Sequence, residues 1–172
     1  MAGLLFFCSM RIMILLAAIV ISFGSCAQMN KSIVKAEAFY MIPTPGTIAV
    51  DDAGQPIPVQ RNKVYSVFME VKDSSLQWTK AWADNKFFSI IPLPINGKTA
   101  MIGNKKENDQ KVVMAAGNEN ILLQLELAPN ELFQKPPQLL TPGEVLLEGK
   151  RQGKLFYYKV SKAVELASPM YQ

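Results

Sequence analysis

The segment VYSVFMEVKDSSLQWTKAWADNKFFSIIP, from Val64 to Pro92, decides the fold class. Three runs within it are rich in β-branched and aromatic residues, which fit a pleated sheet better than a helix. The stretches KDSS and DN between the runs are turn formers, because their side chains can bond the nearby backbone. The segment therefore predicts a three-stranded meander. Its strands are expected at 64–71, 76–83 and 87–91.

Short strands separated by turn residues continue through the rest of the chain. Residues 33–41 and 121–127 alternate apolar and polar side chains, which is typical of an antiparallel strand with one face in water. Residues 92–94 are expected to form an extended connector, since each proline disfavours helix before it. Other strands are predicted at 47–50, 98–102, 111–116, 144–148 and 154–166.

Two proline-rich regions interrupt these strands. Prolines and glycines between residues 42 and 62 exclude a helix there, because proline lacks the amide donor that a helix needs. Asp51 and Asp52 are predicted to form a turn rather than a calcium site, because the alternating oxygen ligands of a cation loop are absent. One helical turn is predicted at 130–134, where Asn130 can act as its cap.

These elements predict an all-β domain that spans residues 28–172. About nine short strands with turns between them are typical of an antiparallel β-sandwich, and barrel-like closure is the alternative. The sequence has no evident repeat and no linker long enough to divide it, so one domain is expected.

The composition excludes several kinds of chemistry. The 172 residues include no histidine, which removes the commonest general base and the commonest metal ligand. The net charge of +4 comes from scattered residues, so no nucleic-acid partner is expected. Cys8 and Cys26 are the only cysteines, which leaves the domain without a disulfide or a thiolate metal site. We therefore expect no metal and no cofactor.

The first 27 residues have the pattern of a secretory signal peptide. Arg11 precedes a continuous apolar run, 12–23, and small residues follow it. The run is shorter than the roughly 20 apolar residues that span a bilayer. Residues 1–9 lack the positive charge expected of a leader, so Met10 is the predicted start of translation.

Two cleavage sites are open at the end of this leader. Phe23-Gly24-Ser25-Cys26 resembles the bacterial lipoprotein signal, which implies that Cys26 is lipidated and becomes the first residue. A lipid on Cys26 would hold the domain at a membrane surface. The alternative is ordinary signal-peptidase cleavage after Ala27, which leaves a soluble protein that begins at Gln28. Both alternatives predict an exported protein, either periplasmic or at the outer membrane, or secreted.

No motif in the sequence predicts catalytic residues, and the enzyme hypothesis rests on carboxylates alone. A hydrolase acting on polysaccharide needs two carboxyl groups placed across the sugar bond. The strand residues of the right type are Glu37, Glu70, Glu126 and Glu148. Each lies in an alternating strand, where an outward, solvated carboxylate is the ordinary case. We therefore predict no catalytic residue.

A binding strip is the alternative to catalysis. Trp78, Lys80 and Trp82 are spaced two apart and would project from the same side of one strand, where two indoles and a cation could contact a sugar or a partner's apolar side chains. The competing interpretation places both indoles in the core and exposes Ala81 and Ala83 instead.

The functional prediction is a non-catalytic envelope protein, a binding or accessory module at or near a bacterial membrane. A protein or a carbohydrate is the expected partner, and the only expected membrane contact is the lipid on Cys26. A small polysaccharide-acting hydrolase is the alternative.

Overall fold

The computed structural model describes residues 32–43, 50–55 and 62–168. These residues form ten strands and no helix, so the predicted all-β fold is confirmed. Within these ranges nothing helical has the length and hydrophobicity to cross a bilayer. The strands are β1 (Ile33–Met41), β2 (Val64–Val71), β3 (Gln77–Ala83), β4 (Lys86–Pro94), β5 (Thr99–Asn104), β6 (Lys111–Ala115), β7 (Ile121–Pro129), β8 (Val145–Arg151), β9 (Lys154–Val160) and β10 (Val164–Glu165).

Eight of the strands form one large sheet that curls into a half-barrel. Their order is β10-β1-β2-β7-β4-β3-β8-β9, and only the pair of β1 with β10 is parallel. β10 pairs with the end of β1 at Phe39 and Tyr40, so the last described strand returns to the first. The small sheet of β5 and β6 packs on the outer surface, which combines barrel-like curling with the face-to-face packing of a sandwich.

The concave side of the large sheet holds the main core. Side chains that alternate along each strand point inward, as the two-residue period of a strand requires. In β2 these are Tyr65, Val67, Met69 and Val71, as the sequence predicted. The other strands contribute Ile33, Ala38, Trp78, Ala81, Ala83, Phe88, Ile90, Leu125, Leu127, Val145, Leu147, Phe156 and Val160.

The convex side carries two smaller apolar clusters instead of a uniformly wet surface. Phe39, Phe68 and Leu122 lie under the β5–β6 hairpin, whose Met114 is fully buried against them. A second cluster, formed by Trp82, Phe87 and Leu146, lies under the segment that joins β7 to β8, with Leu140 packed against it. Several strands are therefore apolar on both faces.

The predicted meander is correct for β3 and β4 and wrong for β2. β3 and β4 pair through a two-residue turn, in which Asp84 and Asn85 have φ values of 47° and 60°. β2 pairs with β1 and β7, and β7 and β4 separate it from β3. β7 suits this central position because it buries Leu122 on one face and Leu125 on the other.

The helical turn predicted at 130–134 is also wrong. Asn130 uses both ends of its side chain, accepting a hydrogen bond from the Leu132 amide (3.0 Å) and donating one to Ser89 Oγ (3.0 Å). The Gln134 carbonyl accepts a hydrogen bond from the Trp82 indole (2.8 Å). These contacts with side chains hold the segment in an irregular path along the sheet. In a helix, the backbone groups would bond to one another instead.

Two smaller expectations have different outcomes. Asp51 forms the predicted turn, because its side chain accepts from the amides of Ala53 (3.0 Å) and Gln55 (2.8 Å). Residues 92–94 are not a connector, because they form the end of β4 and pair with 123–125 of β7. The signal peptide and most of the strand predicted at 47–50 lie outside the described residues.

Candidate functional site

The predicted strip of Trp78, Lys80 and Trp82 is divided by a β-bulge. The register with β8 shifts between Trp78 and Lys80, so Thr79 is an extra residue in β3. Trp78 consequently faces the concave core, while Lys80 and Trp82 face the convex side. The expectation that all three share one face is therefore wrong, and the two indoles are only 5% and 2% exposed.

Gly149 leaves room for the aromatic packing around Trp78. Trp78 lies opposite Gly149 and packs edge-on against Phe156, with ring centroids 5.3 Å apart. A side chain at Gly149 would place its first carbon 2.7 Å from the Phe156 ring, so only glycine fits here. The prediction that Ala81 and Ala83 lie on an exposed face of β3 is likewise wrong, because both are buried in the core.

Lys80 belongs to a polar cluster on the convex side. Its Nζ lies 3.7 Å from Glu148 Oε1, which also accepts a hydrogen bond from Thr79 Oγ1 (3.1 Å). The other oxygen of Glu148 accepts from Tyr157 Oη (3.2 Å), and burial beside Glu148 raises the pKa of that phenol. The polar side chains of the cluster therefore have partners within the protein.

The four candidate glutamates are not brought together as a pair. Glu37 binds Lys35 (2.8 Å) and Glu126 is exposed. Glu70 and Glu148 are buried, in contrast to the solvated position expected for them. Glu70 accepts from the Gly117 amide (2.8 Å) and from the Asn120 side chain (2.5 Å), and these bonds hold its pKa below the ordinary value.

A continuous polar network occupies the end of the half-barrel where β1 ends and β2 begins, which we call the Tyr40 end. Asp84 Oδ2 accepts hydrogen bonds from Lys63 Nζ (2.6 Å) and Tyr65 Oη (2.5 Å). Partial burial raises the pKa of Asp84, but these bonds outweigh it and the pKa lies below the ordinary value. Burial and the bond to Asp84 raise the pKa of Tyr65.

Lys63 joins this network to a second carboxylate. Its ammonium lies 4.5 Å from the centre of the Tyr40 ring, a cation–π distance. Tyr40 Oη donates to Glu165 Oε2 (3.2 Å), and Lys106 Nζ binds Glu165 Oε1 (2.6 Å). The bond from Lys106 is the main reason that the pKa of Glu165 lies below its ordinary value.

A groove of about 530 Å³ opens beside this network. It lies between β10 and the turn that joins β5 to β6, and Tyr40, Ala163 and Val164 line it together with charged residues. Both oxygens of Glu165 are occupied by Lys106 and Tyr40. Lys105 and Lys162 make no ion pair with any described residue, although Lys105 Nζ donates a hydrogen bond to Gln110 Oε1 (3.3 Å). These two lysines face one remaining acid, Glu107, so the lining of the groove has an excess of positive charge.

A second cavity, of about 220 Å³, lies on the other side of Lys63. Phe87, Phe88 and Pro129 give it an apolar wall, and Lys63 and Lys86 add positive charge. Phe133, at its rim, is largely exposed. Both cavities therefore combine apolar walls with lysines at the Tyr40 end.

No group of acidic residues or cysteines that could hold a metal ion occurs in residues 32–43, 50–55 and 62–168. Comparison of the chain with protein-family models, with curated proteins and with solved structures found no match in any of the three. The candidate site therefore rests on geometry and charge.

The residues of the Tyr40 end were missed from the sequence because five separate segments supply them. Tyr40, Lys63, Asp84, Lys106 and Glu165 have no fixed spacing that could serve as a motif. The one local signal was the Asp84-Asn85 turn, whose chemistry explains the turn but not the bonds from Lys63 and Tyr65.

Proposed function

We propose that this protein is a non-catalytic, exported envelope module that binds an anionic group in the groove beside Tyr40. The observation that carries the proposal is the pair of lysines, Lys105 and Lys162, that face a groove of about 530 Å³ without ion-pair partners among the described residues. A carboxylate or phosphate would supply the missing charge and accept their hydrogen bonds. An acidic carbohydrate or an acidic protein segment has this chemistry.

The state of the carboxylates supports binding over hydrolysis. A glycosidase needs one carboxylic acid whose pKa is raised, so that it keeps a proton for the leaving group. The acids of the Tyr40 network, Asp84 and Glu165, have pKa values below the ordinary range because lysines and tyrosines donate to them. Both are ionised at neutral pH and are unsuited to that role.

Location at a membrane remains part of the proposal through Cys26. Labelling cells with a fatty acid should mark the protein, and the label should be lost in Cys26→Ala. An unlabelled protein that begins at Gln28 would contradict lipidation and leave a soluble exported module.

Titration with inorganic phosphate and with oligogalacturonate tests the binding site, since these probes offer the two anion types. Lys105→Ala and Lys162→Ala should each weaken binding several-fold, and added salt should weaken it further because the lysines are near the surface. Lys150→Ala is the matched control, because Lys150 is an exposed lysine near the end of β8 and does not line the groove.

Equal losses in Lys150→Ala and Lys162→Ala would mean non-specific attraction and would contradict the groove. Release of sugar from a polysaccharide panel, lost in Glu148→Gln or Asp84→Asn, would replace the binding proposal with the hydrolase alternative.

A further inference from the structure

The segment between β7 and β8 carries an unusual set of exposed side chains. Leu132, Phe133 and Leu139 are 72%, 84% and 88% exposed, the three highest values among the large apolar residues that the structure describes. We call these three residues the apolar ridge. Exposed apolar side chains that occur singly are ordinary, but three of them within residues 132–139 need a physical explanation.

The ridge stands on a backbone that is held in place. The Trp82 indole binds the Gln134 carbonyl (2.8 Å), and Lys159 Nζ binds the Leu139 carbonyl (2.9 Å). Leu140, next to Leu139, packs into the convex cluster. Because the backbone is already ordered, insertion of the ridge into an apolar phase requires little further ordering.

Two exposed lysines lie near the ridge. Lys135 lies between its members, and Lys86 lines the cavity that Phe133 borders. Both lysines are exposed and make no ion pair with described residues, whereas the only acid in 130–140 is Glu131. Exposed apolar side chains with adjacent lysines fit the interface of an anionic bilayer, where the side chains enter the acyl boundary and lysines meet the headgroups.

We propose that the apolar ridge inserts into the interface of a bilayer that contains anionic lipid. A bilayer accepts protruding side chains without a complementary pocket, whereas a protein partner must provide one. The contact is made by the folded domain itself, so it goes beyond the proposed function, and it depends neither on a lipid at Cys26 nor on the anion groove.

Phe133→Trp places a reporter on the ridge. The full-length protein, as purified from its own compartment, is bound to vesicles of phosphatidylethanolamine with phosphatidylglycerol, and the emission of the unsubstituted protein is subtracted. The remaining emission, from the introduced indole, should shift to the blue and be quenched by brominated lipid. Both effects should diminish in vesicles of phosphatidylcholine alone and when Lys86→Glu and Lys135→Glu are added.

Val113→Trp is the matched control, because Val113 is a half-exposed apolar residue on the β5–β6 hairpin. Its emission should be unchanged by brominated lipid even when an N-terminal lipid attaches the protein. An unchanged melting curve for Phe133→Trp is expected, since that side chain has little contact with the domain.

Absence of quenching at position 133 in anionic vesicles would overturn the proposal. So would a blue shift that appears without vesicles and grows with protein concentration, because it would assign the ridge to a second copy of the chain. Equal quenching at positions 113 and 133 would mean that the protein contacts the bilayer without using a specific surface. That result would also contradict the proposal. None of these results depends on phosphate or oligogalacturonate binding, so the two proposals fail separately.

Discussion

The two apolar clusters on the convex side of the sheet are covered in different ways. The cover over Phe39, Phe68 and Leu122 is a β-hairpin whose strands satisfy each other's backbone groups. The cover over Trp82 and Leu146 is the irregular segment between β7 and β8, whose position depends on hydrogen bonds from side chains of the sheet.

This difference affects how freely each cover can place apolar side chains in water. The hairpin turns Met114 fully inward, while Met101 and Val113 on its other face are exposed. The irregular segment buries Leu140 partly and leaves its other large apolar side chains in water. A hairpin alternates its faces by necessity, whereas an irregular segment can point several apolar residues outward. We therefore expect mutations of the inward-facing side chains of the hairpin to change stability, and mutations of the apolar ridge to change binding to vesicles.

Met114→Ala should have the largest effect on stability. It removes a fully buried side chain from the hairpin cluster, and buried Met→Ala changes typically cost about 2–5 kcal/mol through lost burial and a residual cavity. Urea unfolding measures this loss, with the neighbouring half-exposed Val113→Ala as the control. Equal losses for the two would mean that the hairpin does not pack as described.

Glu70→Gln should weaken the attachment of the hairpin in a pH-dependent manner. Glu70 accepts from Gly117 and Asn120, in the turn after β6, and hydrogen bonds to a charged group contribute about 1.5–3 kcal/mol. Because these bonds lower its pKa, the stabilisation is fully present above the ordinary value of about 4.3 and is lost as pH falls through the lowered value.

Urea unfolding at neutral pH and near pH 3 tests this sign, since about pH 3 lies below the unfolded pKa of a glutamate. The difference between Glu70→Gln and the unsubstituted protein should be smaller at the lower pH. A difference that grows on acidification would refute the assignment of Glu70 as an ionised acceptor.

Trp82→Phe should loosen the irregular cover. The change retains an aromatic ring but removes the donor to Gln134, a loss of about 0.5–1.5 kcal/mol in addition to any packing defect. Limited proteolysis should become faster within 131–143. Trp78→Phe is the matched control because the Trp78 indole N–H has no partner among the described atoms, and it should leave this cleavage rate unchanged. Faster cleavage in both variants would show that the indole bond does not hold the segment.

The smallest effect on stability is expected from Leu132→Ser combined with Phe133→Ser. Both side chains are exposed, and surface substitutions usually change the free energy of unfolding by less than about 0.5 kcal/mol. Thermal and urea unfolding should match those of the unsubstituted protein, while binding to anionic vesicles should fall. A clear loss of stability would mean that the ridge is packed against the domain.

The sequence predicted individual strands well because a strand's alternation is local. The inward set of β2, from Tyr65 to Val71, follows directly from the two-residue period. The partner of β2 could not be predicted in this way, because β7 begins 50 residues after β2 ends and nothing local selects it over β3. Strand pairing depends on which strands are apolar on both faces and therefore belong in the middle of the sheet. That position is defined only once the whole sheet is known.

The site residues that the sequence suggested were misplaced for two physical reasons. The bulge at Thr79 reverses the faces of β3, so the spacing of Trp78 and Trp82 misled the prediction. The convex side was expected to be wet, but Glu70 and Glu148 are buried there. A pattern of alternating residues identifies the faces of a strand but not what later packs on them.

The parallel pair of β1 and β10 has a consequence for the order in which the chain folds. Tyr40 and Glu165 are hydrogen-bonded although 125 residues separate them in the sequence. The edge of β1 is therefore paired only after β10 has formed. Contacts between such distant residues slow folding, because a long loop must close before they form. A chain that emerges from its amino terminus therefore remains incompletely folded until residues 164–166 are free, which is compatible with the export proposed above.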